Sequence, residues 1–184
     1  VPLTAIAFFM LTGELMTSAT ITDRLVALSR ALIGRIRGGL AQVNVLVSMF
    51  FAGMNGSVVA DTATVGALVL PAMKKAGYPA AFSAAVTGVS STIGGIIPPS
   101  IMMIVLANST EISIASLFAA GIIPGILIGI VIMIINHYFA IKYNFERSDE
   151  PFSIRRAGKE LYRSSFALLI PLVLVGSVMG GVAS

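Results

Sequence analysis

Two short stretches of this chain place oxygen-rich chemistry in an otherwise apolar setting. The first is Asn55, Gly56 and Ser57, followed by Asp61, Thr62 and Thr64; the second is Ser90, Ser91 and Thr92, then Gly94, Gly95, Pro98, Pro99 and Ser100. Hydroxyls, amide oxygens and peptide carbonyls are hard ligands that suit an alkali cation. Peptide N–H groups left free where a helix starts suit a carboxylate instead. Asp61 is the only acid between Leu40 and Met73. An ionisable side chain in so apolar a stretch is a functional candidate, and it has two readings. Its charge helps hold an ion or gate a site, or it caps a helix by accepting from the amides of Ala63 or Thr64. Capping predicts that Asp61→Asn is tolerated, since the amide keeps an acceptor oxygen.

The elements that carry these residues follow from composition. The 184 residues are 57% hydrophobic and only 11% charged, whereas a soluble domain carries about a quarter charged residues. A globular interior of this size cannot hide that much apolar surface, so lipid takes the remainder. Leu117 to Ile135 contains no charged or hydrogen-bonding side chain, and Phe166–Ala183 is broken only by Ser177; both meet the rule of about 18 apolar residues for a spanning helix. With no cysteine and a single His137, neither a thiolate site nor a histidine pair for a transition metal exists. The formal net charge of +4 sits in the gaps between apolar segments, which argues against a nucleic-acid partner.

The spacing predicts an all-α integral membrane protein. Residues 1–38 read as an apolar helix, with Glu14 near its end, and an amphipathic surface helix over Thr20–Arg37, with Ile21, Leu25, Leu28, Leu32 and Ile36 on one stripe. Within residues 39–75, Leu40–Phe51 and Thr62–Met73 are about a dozen residues each, too short to cross a core of about 30 Å. Arg35 and Arg37 flank one end and Lys74 and Lys75 the other. Basic residues favour the cytoplasmic face, so the pair reads as a re-entrant hairpin with its tip at Asn55–Ser57, against the alternative of one long spanning helix. Residues 79–107 read as a broken helix, because Gly94-Gly95 and Pro98-Pro99 cannot continue the turns of Ala80–Ser91 into Ile101–Leu106. Asn108 to Glu111 form an outer loop. Residues 112–184 return as spanning helices joined by a cytoplasmic connector at 142–165 that carries Lys142, Arg147, Arg155, Arg156, Lys159 and Arg163. Gly121, Gly125 and Gly129 are spaced for helix packing. The chain begins and ends within apolar stretches, and reads as a piece of a longer protein.

Interrupted helices at membrane depth leave carbonyls for a cation and N–H groups for a carboxylate, as in many secondary transporters. The sodium-binding candidates are Asn55, Gly56, Ser57, Ser90, Ser91, Thr92, Gly94 and Gly95. Asp61, Thr62, Pro98, Pro99 and Ser100 are the candidates for binding or gating a substrate.

Five motifs in order resemble the large membrane subunit of the TRAP (tripartite ATP-independent periplasmic) transporters. They are Val1-Pro2 through Gly13-Glu14-Leu15-Met16, Arg37-Gly38-Gly39-Leu40-Ala41-Gln42-Val43-Asn44, Gly56-Ser57-Val58-Val59-Ala60-Asp61-Thr62, Pro71-Ala72-Met73-Lys74-Lys75-Ala76-Gly77-Tyr78, and Ser90-Ser91-Thr92 through Pro98-Pro99-Ser100. The resemblance implies a Na⁺-coupled permease of the bacterial or archaeal inner membrane that imports small organic acids of the dicarboxylate or sialic acid kind. It implies a periplasmic substrate-binding protein and a small four-helix membrane subunit as partners, and no cofactor beyond the coupling ion. It also implies an elevator built from two inverted repeats, of which this chain carries the first, an N-terminal-half piece. A channel is the weaker reading because no symmetric pore repeat is present. An intramembrane protease would need a catalytic pair, and Asp61 has no partner acid in its stretch.

Overall fold

A computed structural model of the protein describes Leu11 and residues 21–34, 36–145 and 153–180. Glu14, Arg35, Arg147 and the first apolar helix of the sequence reading lie outside the described residues. The described residues are helical, without a strand: α1 Ile21–Ile33, α2 Gly39–Asn55, α3 Val58–Lys75, α4 Ala80–Ser91, a 3₁₀ turn Thr92–Gly95, α5 Ile101–Thr110, α6 Ile114–Lys142 and α7 Ile154–Met179.

The central element is α2, which packs against α1, α3, α4, the 3₁₀ turn and α6. Its sequence explains this position. Val43, Val45, Val47 and Phe51 are apolar on every side of the helix and fully buried, as in a helix with no solvent face. Helix α2 ends at Gly56 (φ 58, ψ 17), a left-handed cap that glycine adopts without strain. Ser57 then turns extended and accepts the Ala60 N–H at 3.3 Å to start α3. The chain folds back on itself: Asn44 Nδ2 of α2 lies 3.7 Å from Met73 Sδ of α3. The two form a helical hairpin, not one long helix.

The hairpin helices are longer than their apolar cores suggested, at 17 and 18 residues, or about 26 Å each. The tip contracts to Gly56 and Ser57 because a left-handed glycine and a capping serine suffice to reverse the chain. The break falls where the glycines and prolines placed it, between α4 and α5. The expected outer loop at Asn108–Glu111 is largely helix. Ser109 and Thr110 donate back to Val105 O and Leu106 O at 2.9 and 2.7 Å, which satisfies their hydroxyls within the helix, and the helix ends where Glu111 takes a left-handed conformation (φ 57). Likewise the connector at 142–165 is helical from Ile154 onward, where Ser153 caps α7 by accepting from Arg156 N.

Helices α6 and α7 are long and apolar enough to cross a bilayer. One face of α6, carrying Gly121, Gly125, Gly129, Ile132, Asn136 and Ala140, is buried, while Ile123, Leu127 and Ile134 on the other are exposed. The glycines let its backbone approach the break and α2: a methyl group at Gly121 would collide with Ile96 O and one at Gly125 with Ile97, both at the break, and one at Gly129 with the Met49 side chain of α2. Amides tie α2 to α6 in both directions. Gln42 Nε2 donates to Met133 O at 2.8 Å, and Asn136 Nδ2 to Ala41 O at 3.5 Å. At the hairpin base, Tyr78 and Phe82 meet Phe145 with ring centroids 4.5 and 5.0 Å apart, which holds the α3–α4 corner against the end of α6.

Candidate functional site

The hairpin tip and the helix break form one junction. A Cβ at Gly56 would occupy the space of the Pro99 carbonyl and crowd Ser100, so only glycine permits this approach. Gly56 O accepts the N–H of Ile101, the first residue of α5, at 3.2 Å. From the other side a Cβ at Gly94 would lie 3.7 Å from the Ser57 carbonyl and Val58 N, and one at Gly95 would touch the Val58 side chain. Ser100 Oγ donates to Gly95 O at 2.8 Å and accepts Met103 N at 3.4 Å, which caps α5. Pro98, Pro99 and Ser100 are buried there.

Helix termini give the junction its polarity. The N-termini of α3 and α5 supply N–H groups and partial positive charge, while the C-termini of α2 and the 3₁₀ turn supply carbonyls. Asn55 Oδ1 accepts Ser57 N at 3.1 Å. Its Nδ2 is buried without an acceptor among the described residues.

Behind the tip, a ladder of polar side chains crosses the core between α2 and α4. Asn44 Nδ2 donates to Thr87 Oγ1 at 2.7 Å, and Thr87 Oγ1 donates to Ser83 O at 2.9 Å. Ser90 Oγ lies 3.4 Å from Asn44 Oδ1 and 3.3 Å from Ser48 Oγ. Ser91 Oγ donates to Thr87 O at 2.9 Å. Each rung removes the penalty of a buried polar group in an apolar interior.

Asp61 stands at the end of this ladder. It is 0% exposed, on the first turn of α3, and the hydroxyls of Ser91 and Ser48 flank it. Neither hydroxyl donates to it with hydrogen-bonding geometry, and both carboxylate oxygens are without a donor among the described residues. Those hydroxyls are engaged on Thr87 O and Ser90 Oγ. The capping reading of Asp61 is therefore corrected: Ser57 caps α3, because its position just before the helix aims its oxygen at Ala60 N, whereas Asp61 is already inside the helix. A buried carboxylate without donors is costly to keep ionised unless a cation or proton neutralises it.

Of the residues singled out from sequence, Asn55, Gly56, Ser57, Gly94, Gly95, Pro98, Pro99 and Ser100 meet at the junction, and Ser91 and Asp61 lie just behind it. Ser90 belongs to the ladder. Thr62 and Thr92 stand apart: both are exposed, and their hydroxyls turn back to Val58 O at 2.8 Å and Val89 O at 2.7 Å. Thr62 instead lines an open groove of about 530 Å³ along α3, with Ala63, Gly66, Ala67, Leu70, Pro71 and Lys74. The ladder members Asn44, Ser48, Ser83 and Thr87 were not singled out. Their signal is the i, i+4 spacing of Asn44 with Ser48 and of Ser83 with Thr87 in apolar helices. His137 is exposed, and no group of three His, Asp or Glu is placed to hold a metal among the described residues.

Comparison with known proteins adds to this geometry. The family model of the tripartite ATP-independent periplasmic transporter, DctM component, matches residues 1–184. The chain is 39% identical over 184 residues to the sialic acid TRAP transporter permease protein SiaT of Haemophilus influenzae, covering all of this chain and 30% of that protein. It is 37% identical over 179 residues to the C4-dicarboxylate TRAP transporter large permease protein DctM of Pseudomonas aeruginosa, covering 97% of this chain and 42% of the relative. The 2,3-diketo-L-gulonate TRAP transporter large permease protein YiaN of Escherichia coli shows 37% identity over the same shares. The chain thus spans less than half the length of these curated relatives.

Proposed function

This chain belongs to the DctM component family of the tripartite ATP-independent periplasmic transporters, and we propose that it forms part of a permease coupling Na⁺ to the import of small organic acids. As a member it is a multi-pass membrane protein of a transport family, not an enzyme. In this proposal a periplasmic binding protein delivers the acid, a small four-helix membrane subunit accompanies the permease, and the assembly sits in the inner membrane. The hairpin α2–α3 re-enters the membrane, and with the broken helix α4–α5 it makes one of two inverted repeats that move as an elevator. Re-entry is supported by the basic residues at both hairpin bases, Arg37 and Lys74–Lys75. Helix length does not support it, since each arm is close to the hydrocarbon thickness.

The observation that carries the reading is the Asp61 carboxylate, sealed behind the junction with neither oxygen bonded among the described residues. Na⁺ held between tip and break, by oxygens among Asn55, Gly56, Ser57, Ser90, Ser91, Gly94 and Gly95, would offset that charge. Thr92 contributes at most its carbonyl, because its hydroxyl points away. The organic acids named for the relatives carry carboxylates, which suit the N-termini of α3 and α5. Thr62, Pro98, Pro99 and Ser100 are the residues proposed to bind or gate it.

The test is uptake by the complete transporter with its partners in proteoliposomes, with Na⁺ imposed on one side. Uptake should require the Na⁺ gradient, and Ser57→Ala or Ser91→Ala should raise the Na⁺ concentration for half-maximal rate. Uptake indifferent to Na⁺ would sink the coupling, and an unchanged Na⁺ response in both variants would sink its placement.

A further inference from the structure

Helix α7 is exposed around most of its circumference, and one stripe on it changes character along its length. Arg155, Lys159, Tyr162, Phe166, Leu169 and Val173 follow at steps of four and three residues, which keeps them on one face. Tyr162 is 83% exposed, Phe166 70%, Leu169 53% and Val173 65%; Arg155 and Lys159 are exposed as well. The rotation of the helix is held from the opposite side. Ser164 and Ala167 are buried there, Ser164 Oγ donates to Arg24 O at 3.3 Å, and Arg24 donates to Arg163 O at 3.1 Å.

Along the stripe the order is cation, cation, aromatic, aromatic, aliphatic, aliphatic. The 26 residues of α7 extend about 39 Å, against a hydrocarbon core of about 30 Å. The surplus of about 9 Å is the first six residues, and they hold Arg155 and Lys159. Tyr162 then falls at the boundary where aromatic rings are favoured, and Leu169 and Val173 within the acyl region. The one acid of these first turns, Glu160, lies off the stripe and is paired with Arg163 at 3.3 Å. Arg155 and Lys159 are left without a counter-charge among the described residues.

We propose that this stripe is a binding site for an anionic phospholipid, with Arg155 and Lys159 on the headgroup phosphate and Tyr162 and Phe166 against its glycerol and upper acyl chain. Two cations that serve only to orient the chain during insertion need no such register with aromatic and aliphatic residues on one face. The site rests on α7 crossing the membrane and is independent of the ion site. It selects the lipid by charge and retains it by apolar contact below. Near an anionic surface each Lys or Arg contributes about 1 kcal/mol, or about fivefold in local lipid enrichment.

Tyr162→Trp places an indole on the stripe at an exposed position. The full transporter carrying it is reconstituted into phosphatidylcholine vesicles. Phosphatidylglycerol or phosphatidylcholine, brominated at shallow acyl positions, is then added at one mole fraction, and the signal of the Tyr162 parent is subtracted. Quenching by the brominated phosphatidylglycerol should exceed that by phosphatidylcholine severalfold and fall toward parity in 1 M salt. In Arg155→Gln/Lys159→Gln it should drop to parity, whereas Arg155→Lys should retain the preference and Lys142→Gln, at the end of α6, should leave it intact. Parity with both cations present would overturn the proposal. So would a preference that survives the double substitution, or an absence of quenching by either lipid, which would mean that protein covers the stripe. Insertion of each variant is checked by its yield and helical circular dichroism, and because the charge-neutral variants alter exposed side chains only, they report on binding.

Discussion

The carbonyl of Gly56 accepts the amide hydrogen of Ile101 at 3.2 Å, so the tip of the hairpin and the resumption of the broken helix are joined through backbone. This contact is possible only because Gly56 lacks a side chain where Pro99 approaches. Gly77 has a similar backbone conformation (φ +80) but open space around it, which makes it a matched comparison. Gly77→Ala should cost only the left-handed penalty of about 1–2 kcal/mol. Gly56→Ala should cost clearly more, because Pro99 must also move. Thermal unfolding of the two variants in detergent should rank them in that order; equal losses would mean that the tip does not bear on the break.

Asp61 separates a structural from an electrostatic role. With Ser57 as the cap of α3, Asp61→Asn keeps shape and polarity but removes a charge that Na⁺ would neutralise. Uptake by the complete transporter should need about tenfold more Na⁺ or fail, with normal amounts in the membrane. Asp61→Leu should insert and fold as well as the parent, because a buried carboxylate without donors is costly, and it should not transport. Normal Na⁺ affinity in Asp61→Asn would show that the charge is not used.

The ladder from Asn44 to Ser91 is a stability feature with a measurable cost. Asn44→Leu removes the donor to Thr87 and an acceptor beside Ser90; both hydroxyls keep another partner, so each lost bond should cost about 0.5–1.5 kcal/mol. Thr62→Val, at an exposed hydroxyl that bonds only its own helix, should stay within about 0.5 kcal/mol. Melting temperatures of the two variants decide this, and a smaller shift for Asn44→Leu would count against the ladder.

Topology can be read with single cysteines, since the chain has none. Gly38 is unsuited, because its φ of +75 and its contact with Ala140 leave no room for a side chain. Ile36 and Lys75 are both exposed and flank the hairpin. Re-entry predicts that an impermeant thiol reagent labels Ile36→Cys and Lys75→Cys from the same side. Labelling from opposite sides would show that the hairpin bases are separated by the membrane.

Chain reversal and helix interruption were legible because they depend on local backbone chemistry. Gly56 with Ser57 makes a cap pair, and Gly94-Gly95 with Pro98-Pro99 removes the donors and conformations a helix needs, whatever surrounds them. The apolar excess likewise announced a membrane protein, for the surface of the chain is set by composition. Element ends were less legible. Ser109 and Thr110 stay in α5 with their hydroxyls bonded to their own helix, and α7 begins at Ile154 among charged residues that resembled a loop.

What only the tertiary structure decided is which way each polar side chain faces. Successive residues of a helix point about 100° apart, so neighbours in sequence separate in space. Ser90 enters the ladder and Ser91 approaches Asp61, while Thr92 faces outward at the next step. The same rotation sends Asp61 into the core and Thr62 to the surface groove. Composition and motif determined that oxygen-bearing residues stand at a hairpin tip and a helix break. The docking of α2 against α4, through Asn44, Ser48, Thr87 and Ser90, determined which of those oxygens converge, because burial of the apolar faces leaves each helix only one rotation.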